Sequence, residues 1–280
     1  MGMASIPSSV PAASHAAWPR LGLGCGRIGS FNNPLSLADS VGLIRHAFDL
    51  GVNLFDTANI YGQGDSERAI GRALRGHRNE AVIVTKAGNG FSVKMTLMRP
   101  LKPLLRPLIR AGQGTAITAA RQGALRQDWR PQALLGALDA SLARLKTDRV
   151  DAFLLHGPPA NVIAAEETAK VLERILSSGR ALQVGVSCDD MAALDAAFAL
   201  PANSVLELPW DMIAALDGDL RADAVKRRKV AVLAREVIAR QPGLRPAEAI
   251  GRAAASPFVT TTLVGTVNRK HLAEAVAALP

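Results

Sequence analysis

Short runs of Val, Ile, Leu and Phe recur along the chain, each ending at a polar residue, a Gly or a small side chain. They lie at LGLGC (21–25), VNLFD (52–56), VIVTK (82–86), DAFLLH (151–156), LQVGVS (182–187), VLEL (205–208), VAVLA (230–234) and TTLVG (261–265). Runs of this length, rich in β-branched residues and largely without strict polar alternation, predict strands of a parallel sheet covered on both faces. Between most of them the spacing turns helical, at SLADSVGLIRHAFDLG, SERAIGRALRG, PQALLGALDASLARLK, AAEETAKVLERILSSGR and RPAEAIGRAAAS. Several of these end at Gly, a common helix stop. Eight strand–helix alternations over residues 20–280 predict an α/β fold, a single (β/α)8 TIM-type barrel, whose usual length is about 250 residues. In such a barrel, chemistry gathers at the C-terminal ends of the strands.

One stretch breaks the rhythm. Residues 88–130 hold Lys94, Arg99, Lys102, Arg106, Arg110, Arg121, Arg126 and Arg130 against Asp128 alone, and so account for much of the net charge of +9. Pro100, Pro103 and Pro107 rule out a continuous helix there, because each removes a donor and clashes one turn back. The segment reads as a long basic loop inserted after the third strand. It is either a solvated loop or a flap that attracts an anionic substrate or cofactor. Phe91 and Trp129 are its only aromatics and no recognition motif accompanies the charge, so nucleic acid is not the expected partner. Residues 1–19 are small and polar with no basic-then-apolar leader pattern, and are expected to form a flexible tail. The chain has no apolar run of about 18 residues, so no membrane span is expected. Its two cysteines, Cys25 and Cys188, lack metal or redox spacing; they read as buried thiols of a reducing compartment, which makes the expected location cytoplasmic. Oligomeric state has no signature here.

Three of the runs deliver an ionisable group at their end: Asp56, Lys86 and His156. Five residues after Asp56 stands Tyr61, the chain's one tyrosine. A phenol with a pKa near 10 is a weak acid at neutral pH unless its phenolate is stabilised. A neighbouring ammonium does this, and Lys86 is the candidate, with Asp56 holding it by a charge-assisted hydrogen bond. His156 could then orient a substrate oxygen. Singly, each residue has an ordinary structural role open to it; together, they suit protonation of an oxygen as hydride reaches the adjacent carbon.

From about residue 20 to residue 276 the chain resembles the aldo-keto reductases, most specifically at DTANIYGQGDSERAIGRAL, with support from VTK, SLARLKTDRVDAFLLHGP, SGRALQVGVS and LVGTVNRKHLAEAV. The resemblance implies NAD(P)H-dependent interconversion of an aldehyde or ketone, including sugars, and an alcohol. It assigns Tyr61 as general acid/base, Lys86 as the residue tuning it, Asp56 as support for Lys86, and His156 as the carbonyl-orienting residue. It also implies a nicotinamide carboxamide held at Ser187, Cys188 and Glu207, where the family has Ser, Asn and Gln, and a ring stacked at Arg235, where many relatives have Tyr. Adenosine phosphate binding falls on Gly265, Thr266, Val267, Asn268, Arg269 and His271, beside Lys270, with the helix capped by Asn268 or Thr266. NADP(H) is the preferred cofactor on this reading and NAD(H) the other candidate; no metal is implied. The departures at Cys188 and Glu207 keep open a cofactor-binding but catalytically weak regulatory or redox-sensing member, and the fold admits a lyase or isomerase. Gly24, Gly26 and Gly29 also spell GxGxxG. Residues 31–34 separate them from any helix, so a Rossmann phosphate turn is not expected.

Overall fold

The computed structural model describes residues 18–30, 35–91 and 125–280. Their regular elements, in chain order, are β1 (Leu21–Gly24), α1 (Leu37–Asp49), β2 (Leu54–Asp56), α2 (Asp65–Ala73), β3 (Val82–Ala87), β4 (Asn89–Phe91), β5 (Leu125–Gln127) and α3 (Pro131–Leu145). There follow β6 (Val150–His156), α4 (Ala160–Ile163), α5 (Glu166–Ser177), β7 (Ala181–Ser187), α6 (Met191–Ala199), β8 (Asn203–Pro209) and α7 (Trp210–Ala214). The chain ends with α8 (Arg221–Arg228), β9 (Ala231–Arg235), α9 (Pro246–Ala255), β10 (Thr261–Val264) and α10 (Arg269–Ala277). Eight strands close a parallel barrel in the order β1-β10-β9-β8-β7-β6-β3-β2. The expected (β/α)8 barrel is therefore the observed architecture.

Strand parity explains the interior. Leu54, Val84, Leu154, Val205, Leu233 and Leu263 pack inside the barrel. Because successive strand residues face opposite sides, the residue two positions further along each strand points to the same side. Those residues are Asp56, Lys86, His156, Glu207, Arg235 and Gly265, while Gly24 of β1 and Ser187 of β7 occupy the same level. An apolar plug thus lies directly beneath a polar layer at the C-terminal end. The larger core lies outside the strands, where Phe55 and Phe153 pack against Ile44, Leu138, Leu172 and their neighbours on the helices.

Helix ends follow local chemistry. Ser36 caps α1: its Oγ accepts from Asp39 N at 3.1 Å, and Ser36 N donates back to the Asp39 carboxylate at 3.3 Å. Asp190 caps α6 and Asn268 caps α10 through bonds of 2.8 and 2.9 Å. Helices α6 and α8 carry no clear amphipathic signal in sequence: MAALDAAFA is nearly all small and apolar, and RADAVKRR is mostly charged.

Two sequence expectations need adjustment. Trp18 and Pro19, assigned to the tail, belong to the barrel, with Trp18 against the interior plug and Pro19 O accepting from Thr261 Oγ1 at 2.6 Å; residues 1–17 lie outside the described residues. The expected loop over 88–130 begins and ends as an antiparallel hairpin stem, Asn89–Phe91 against Leu125–Gln127. Trp129 packs so closely on Gly88 that a Cβ there would lie 1.8 Å from its ring. The centre of that segment, 92–124, lies outside the described residues.

Candidate active site

Barrel register brings three polar strand ends side by side: His156 pairs with Ser187, and Ser187 with Glu207. Asp56 and Lys86 complete the ring from β2 and β3. Tyr61 arrives from the loop after β2, which is held down at both ends. Thr57 Oγ1 and Ser66 Oγ are 2.8 Å apart, Ser66 Oγ donates to Cys25 O at 3.2 Å, and Asn59 N donates to Lys86 O at 3.1 Å. Gly62 follows Tyr61 with φ of 58°, and a Cβ there would lie 2.7 Å from Ile28 O, so this tight return requires glycine.

Asp56, Tyr61, His156, Ser187 and Glu207 line a cavity of about 440 Å³, formed also by Gly24, Gly26, Arg27, Asn89, Gln127, Asp189, Arg235, Glu236 and Gly265. Tyr61 and His156 meet edge to face, with ring centroids 5.7 Å apart. Lys86 lies beneath them, fully buried, its Nζ 2.5 Å from Asp56 Oδ1, 3.0 Å from Glu207 Oε2 and 5.3 Å from the Tyr61 ring centroid. Ser187 Oγ donates to Glu207 Oε1 at 3.2 Å. Arg235 donates to Cys188 O at 3.1 Å and to Asp189 at 2.5 Å, and also pairs with Glu236. From the hairpin, Asn89 Nδ2 donates to His156 O at 2.7 Å.

Burial dominates the protonation behaviour. It pushes the Tyr61 phenol up to about 12, against the pull of Lys86. The tuning expected of Lys86 is therefore present and is outweighed. Burial and the Lys86 ammonium hold His156 down to about 4, so its imidazole is neutral at pH 7. Burial and Glu207 push Asp56 upward, opposed by the Lys86 ammonium 2.5 Å away. Glu207 goes the other way: despite burial, Lys86 and Arg235 hold it below its ordinary value. The Lys86 ammonium, though desolvated, is stabilised above its usual range by these two carboxylates. Burial raises both Cys25 and Cys188, so they remain thiols.

A second cavity, of about 660 Å³, adjoins the first, sharing Arg27 and Gly265 with it. Arg245, Ile250, Thr266, His271 and Glu274 line it. Of the residues singled out for nucleotide contact, Ser187, Glu207 and Arg235 reach the first cavity, Thr266 and His271 the second, and Gly265 both. Cys188 is buried, its carbonyl accepting from Arg235 and its N–H donating to Glu207 O. Asn268 is engaged in capping α10, and Val267 packs on the core. Arg269 turns toward α1, where its guanidinium lies 2.9 Å from the position a Gly42 Cβ would take. Lys270 is exposed beside Glu274. Sequence reading missed Arg27, Asn89, Gln127, Asp189, Glu236 and Arg245. Asp189 and Glu236 carried a usable signal, as each directly follows a residue already singled out; Arg245, ten positions past the end of β9, carried none.

A family profile described as the aldo/keto reductase family matches residues 20–216. Among curated proteins, aldo-keto reductase AMT2 of Alternaria alternata is 32% identical over 199 residues, covering 62% of this chain and 50% of that protein. D-threo-aldose 1-dehydrogenase of a Pseudomonas species is 32% identical over 188 residues, covering 65% and 54%. The chain thus spans about half the length of the curated relatives it matches. Among solved structures, an aldo-keto reductase from Bacillus halodurans in its holo form aligns with a TM-score of 0.70 at 20% identity over 92% of this chain and 86% of that one. An aldo/keto reductase from Klebsiella pneumoniae in complex with NADP and acetate aligns at 0.66 and 21% identity, over 93% and 85%. At such identities the likeness is one of fold. The family match ends before β9, so the second cavity stands on geometry alone.

Proposed function

The chain belongs to the aldo/keto reductase family, and from that premise we propose that it is a nicotinamide-dependent oxidoreductase interconverting a small aldehyde or ketone, sugars included, and the corresponding alcohol. The observation that carries this reading is the convergence of Asp56, Tyr61 and His156, from β2, its following loop and β6, on one cavity at the C-terminal end of the barrel, with Lys86 of β3 buried beneath and paired to Asp56.

Tyr61 is the proton donor. Its phenol, held at about 12, stays protonated at neutral pH and gives its proton to the substrate oxygen as negative charge develops there. The neutral His156 offers an N–H to the same oxygen and fixes its direction. Lys86 stabilises the phenolate left behind, and Asp56 keeps the ammonium in place. The hydride, in either direction, would be exchanged with a nicotinamide group held in this cavity.

Two features support a nucleotide fit. Glu207 Oε2, close to Lys86 but off the direction of a hydrogen bond, is a buried oxygen without a directed donor, and a carboxamide NH2 is such a donor. Gly265, which borders both cavities, has no side chain to obstruct the junction between them, and Arg27 borders both as well. Ser187 and Glu207 would hold the nicotinamide end; Arg27, Thr266, His271 and Arg245 would hold the phosphates. The two arginines favour NADP(H) over NAD(H), and Arg245→Gln is expected to weaken NADPH binding more than NADH binding.

Fluorescence titration with NADPH and NADH tests the reading without a choice of substrate. Saturable binding of either supports it; no binding of either by folded protein overturns it. A second reading, a nucleotide-binding member that turns over weakly, draws on the buried Cys188 and the second carboxylate on Lys86. Binding without turnover across an aldehyde and ketone panel would favour it.

A further inference from the structure

Three oxygens surround the Lys86 ammonium: Asp56 Oδ1 at 2.5 Å and Thr57 O at 3.1 Å accept hydrogen bonds from it, and Glu207 Oε2 lies 3.0 Å away as an ion-pair partner off the hydrogen-bond direction. Toward Tyr61 it makes only the ring contact, with Nζ 5.3 Å from the centroid, and among the described residues no hydrogen bond joins Nζ to the phenol oxygen. Two carboxylates therefore compete for one buried cation. Arg235 relieves this in part: its Nε is 3.7 Å from Glu207 Oε1, while its other nitrogens are taken up by Asp189, Glu236 and the Cys188 carbonyl. Ser187 Oγ donates to the same Oε1, which leaves Glu207 Oε2 facing Lys86.

We propose that Glu207 is a positioning residue that sets the acidity of Tyr61: by holding one side of the Lys86 ammonium it draws that charge away from the phenol oxygen, and so makes Tyr61 a weaker acid than Asp56 and Lys86 alone would. This rests on the reading of Tyr61 as the proton donor. A less acidic phenol gives up its proton more reluctantly, and its phenolate takes one back more readily, so Glu207 trades donor strength for base strength. The charged and titratable groups facing Tyr61 are Lys86 from β3, Asp56 from β2, Glu207 from β8, Arg235 from β9 and the His156 ring from β6, with Arg27 of the loop after β1, Asp189 after β7 and Glu236 after β9 on the same cavity. Lys86 and Arg235 favour the phenolate; Asp56 and Glu207 oppose it.

Tyr61 is the one tyrosine of the chain. Isotope labelling at tyrosine Cζ therefore gives a single carbon resonance that reports its ionisation, with no nucleotide or substrate present. The ionised fraction is compared in the wild type, Glu207→Gln and Arg235→Gln at the highest pH at which circular dichroism shows all folded variants intact. The expected order is Glu207→Gln above wild type above Arg235→Gln, with the Glu207→Gln midpoint lower by about one pH unit, a tenfold change in acidity. An unchanged or raised midpoint in Glu207→Gln overturns the proposal. If that variant does not fold, an Arg235→Gln phenol ionised as much as the wild type's, or more, overturns it instead. A merely structural Glu207 would alter stability and leave the midpoint where it is. Absence of nucleotide binding by the wild type, in contrast, bears on the proposed oxidoreductase activity and not on this titration.

Discussion

At the scale of single residues, the site depends on what each side chain does when water is taken away. Tyr61→Phe keeps the ring against His156 and removes only the hydroxyl. It is expected to bind NADPH like the wild type and to lose about two or more powers of ten in turnover, the usual range for general acid catalysis; steady-state kinetics on any accepted aldehyde decides this. His156 gives a pH dependence of known sign. Its folded value of about 4 lies below the 6.5 of the free side chain, so between those values the unfolded chain binds the proton more readily. Its contribution to stability is complete above pH 6.5, declines as pH falls, and is fully lost below about pH 4. The imidazole is partly solvent-exposed, so the loss is about 2 kcal/mol rather than the full value of the shift. Urea midpoints across this range should fall less steeply in His156→Gln. Asp56, Lys86 and His156 were legible because a charge at the end of an apolar run is conspicuous. The opposing charge of Glu207 and Asp56 around Lys86 was not, because it depends on distances across three strands.

At the scale of elements, α2 carries the loop of Tyr61 and is tied to the barrel by a buried charge. Glu67 accepts from Thr85 Oγ1 on β3 at 2.8 Å and from Arg144 Nε on α3 at 2.5 Å. Glu67→Ala removes both bonds and leaves the partly buried Arg144 unpaired. The expected cost is about 3 kcal/mol, read as a lower thermal or urea midpoint. Activity should fall with it, because α2 fixes where Tyr61 enters. Strands could be read to within two residues and the strongly amphipathic helices to within three. Helices α6 and α8 could not, since one is apolar all round and the other mostly charged, and each is held as a helix by what it packs against. Likewise, Phe91 and Leu125 become strand partners only because the chain returns to the same place.

At the scale of the whole molecule, two adjoining cavities cross the mouth of the barrel, and one elongated ligand occupying both would stabilise the fold by binding the native state alone. With NADPH at about a hundred times its dissociation constant the gain is about 2.7 kcal/mol, seen as a higher unfolding temperature; an equal shift with NADH would argue against Arg245 reading the extra phosphate. Among the described residues no helix is long and apolar enough to cross a membrane. By itself, the sequence determined the strand–helix alternation, and with it the barrel, because hydrophobic period and length are local properties that survive without coordinates. It also determined which ionisable groups end up at the strands' C-terminal ends, because side-chain parity along a strand is a matter of counting. Only the tertiary structure decided how those groups share charge, that Arg269 turns away to α1 while Arg245 enters the second cavity, and that burial outweighs Lys86 at Tyr61. Desolvation and Coulomb interactions depend on distances between residues far apart in the chain, and those distances exist only once the barrel has closed.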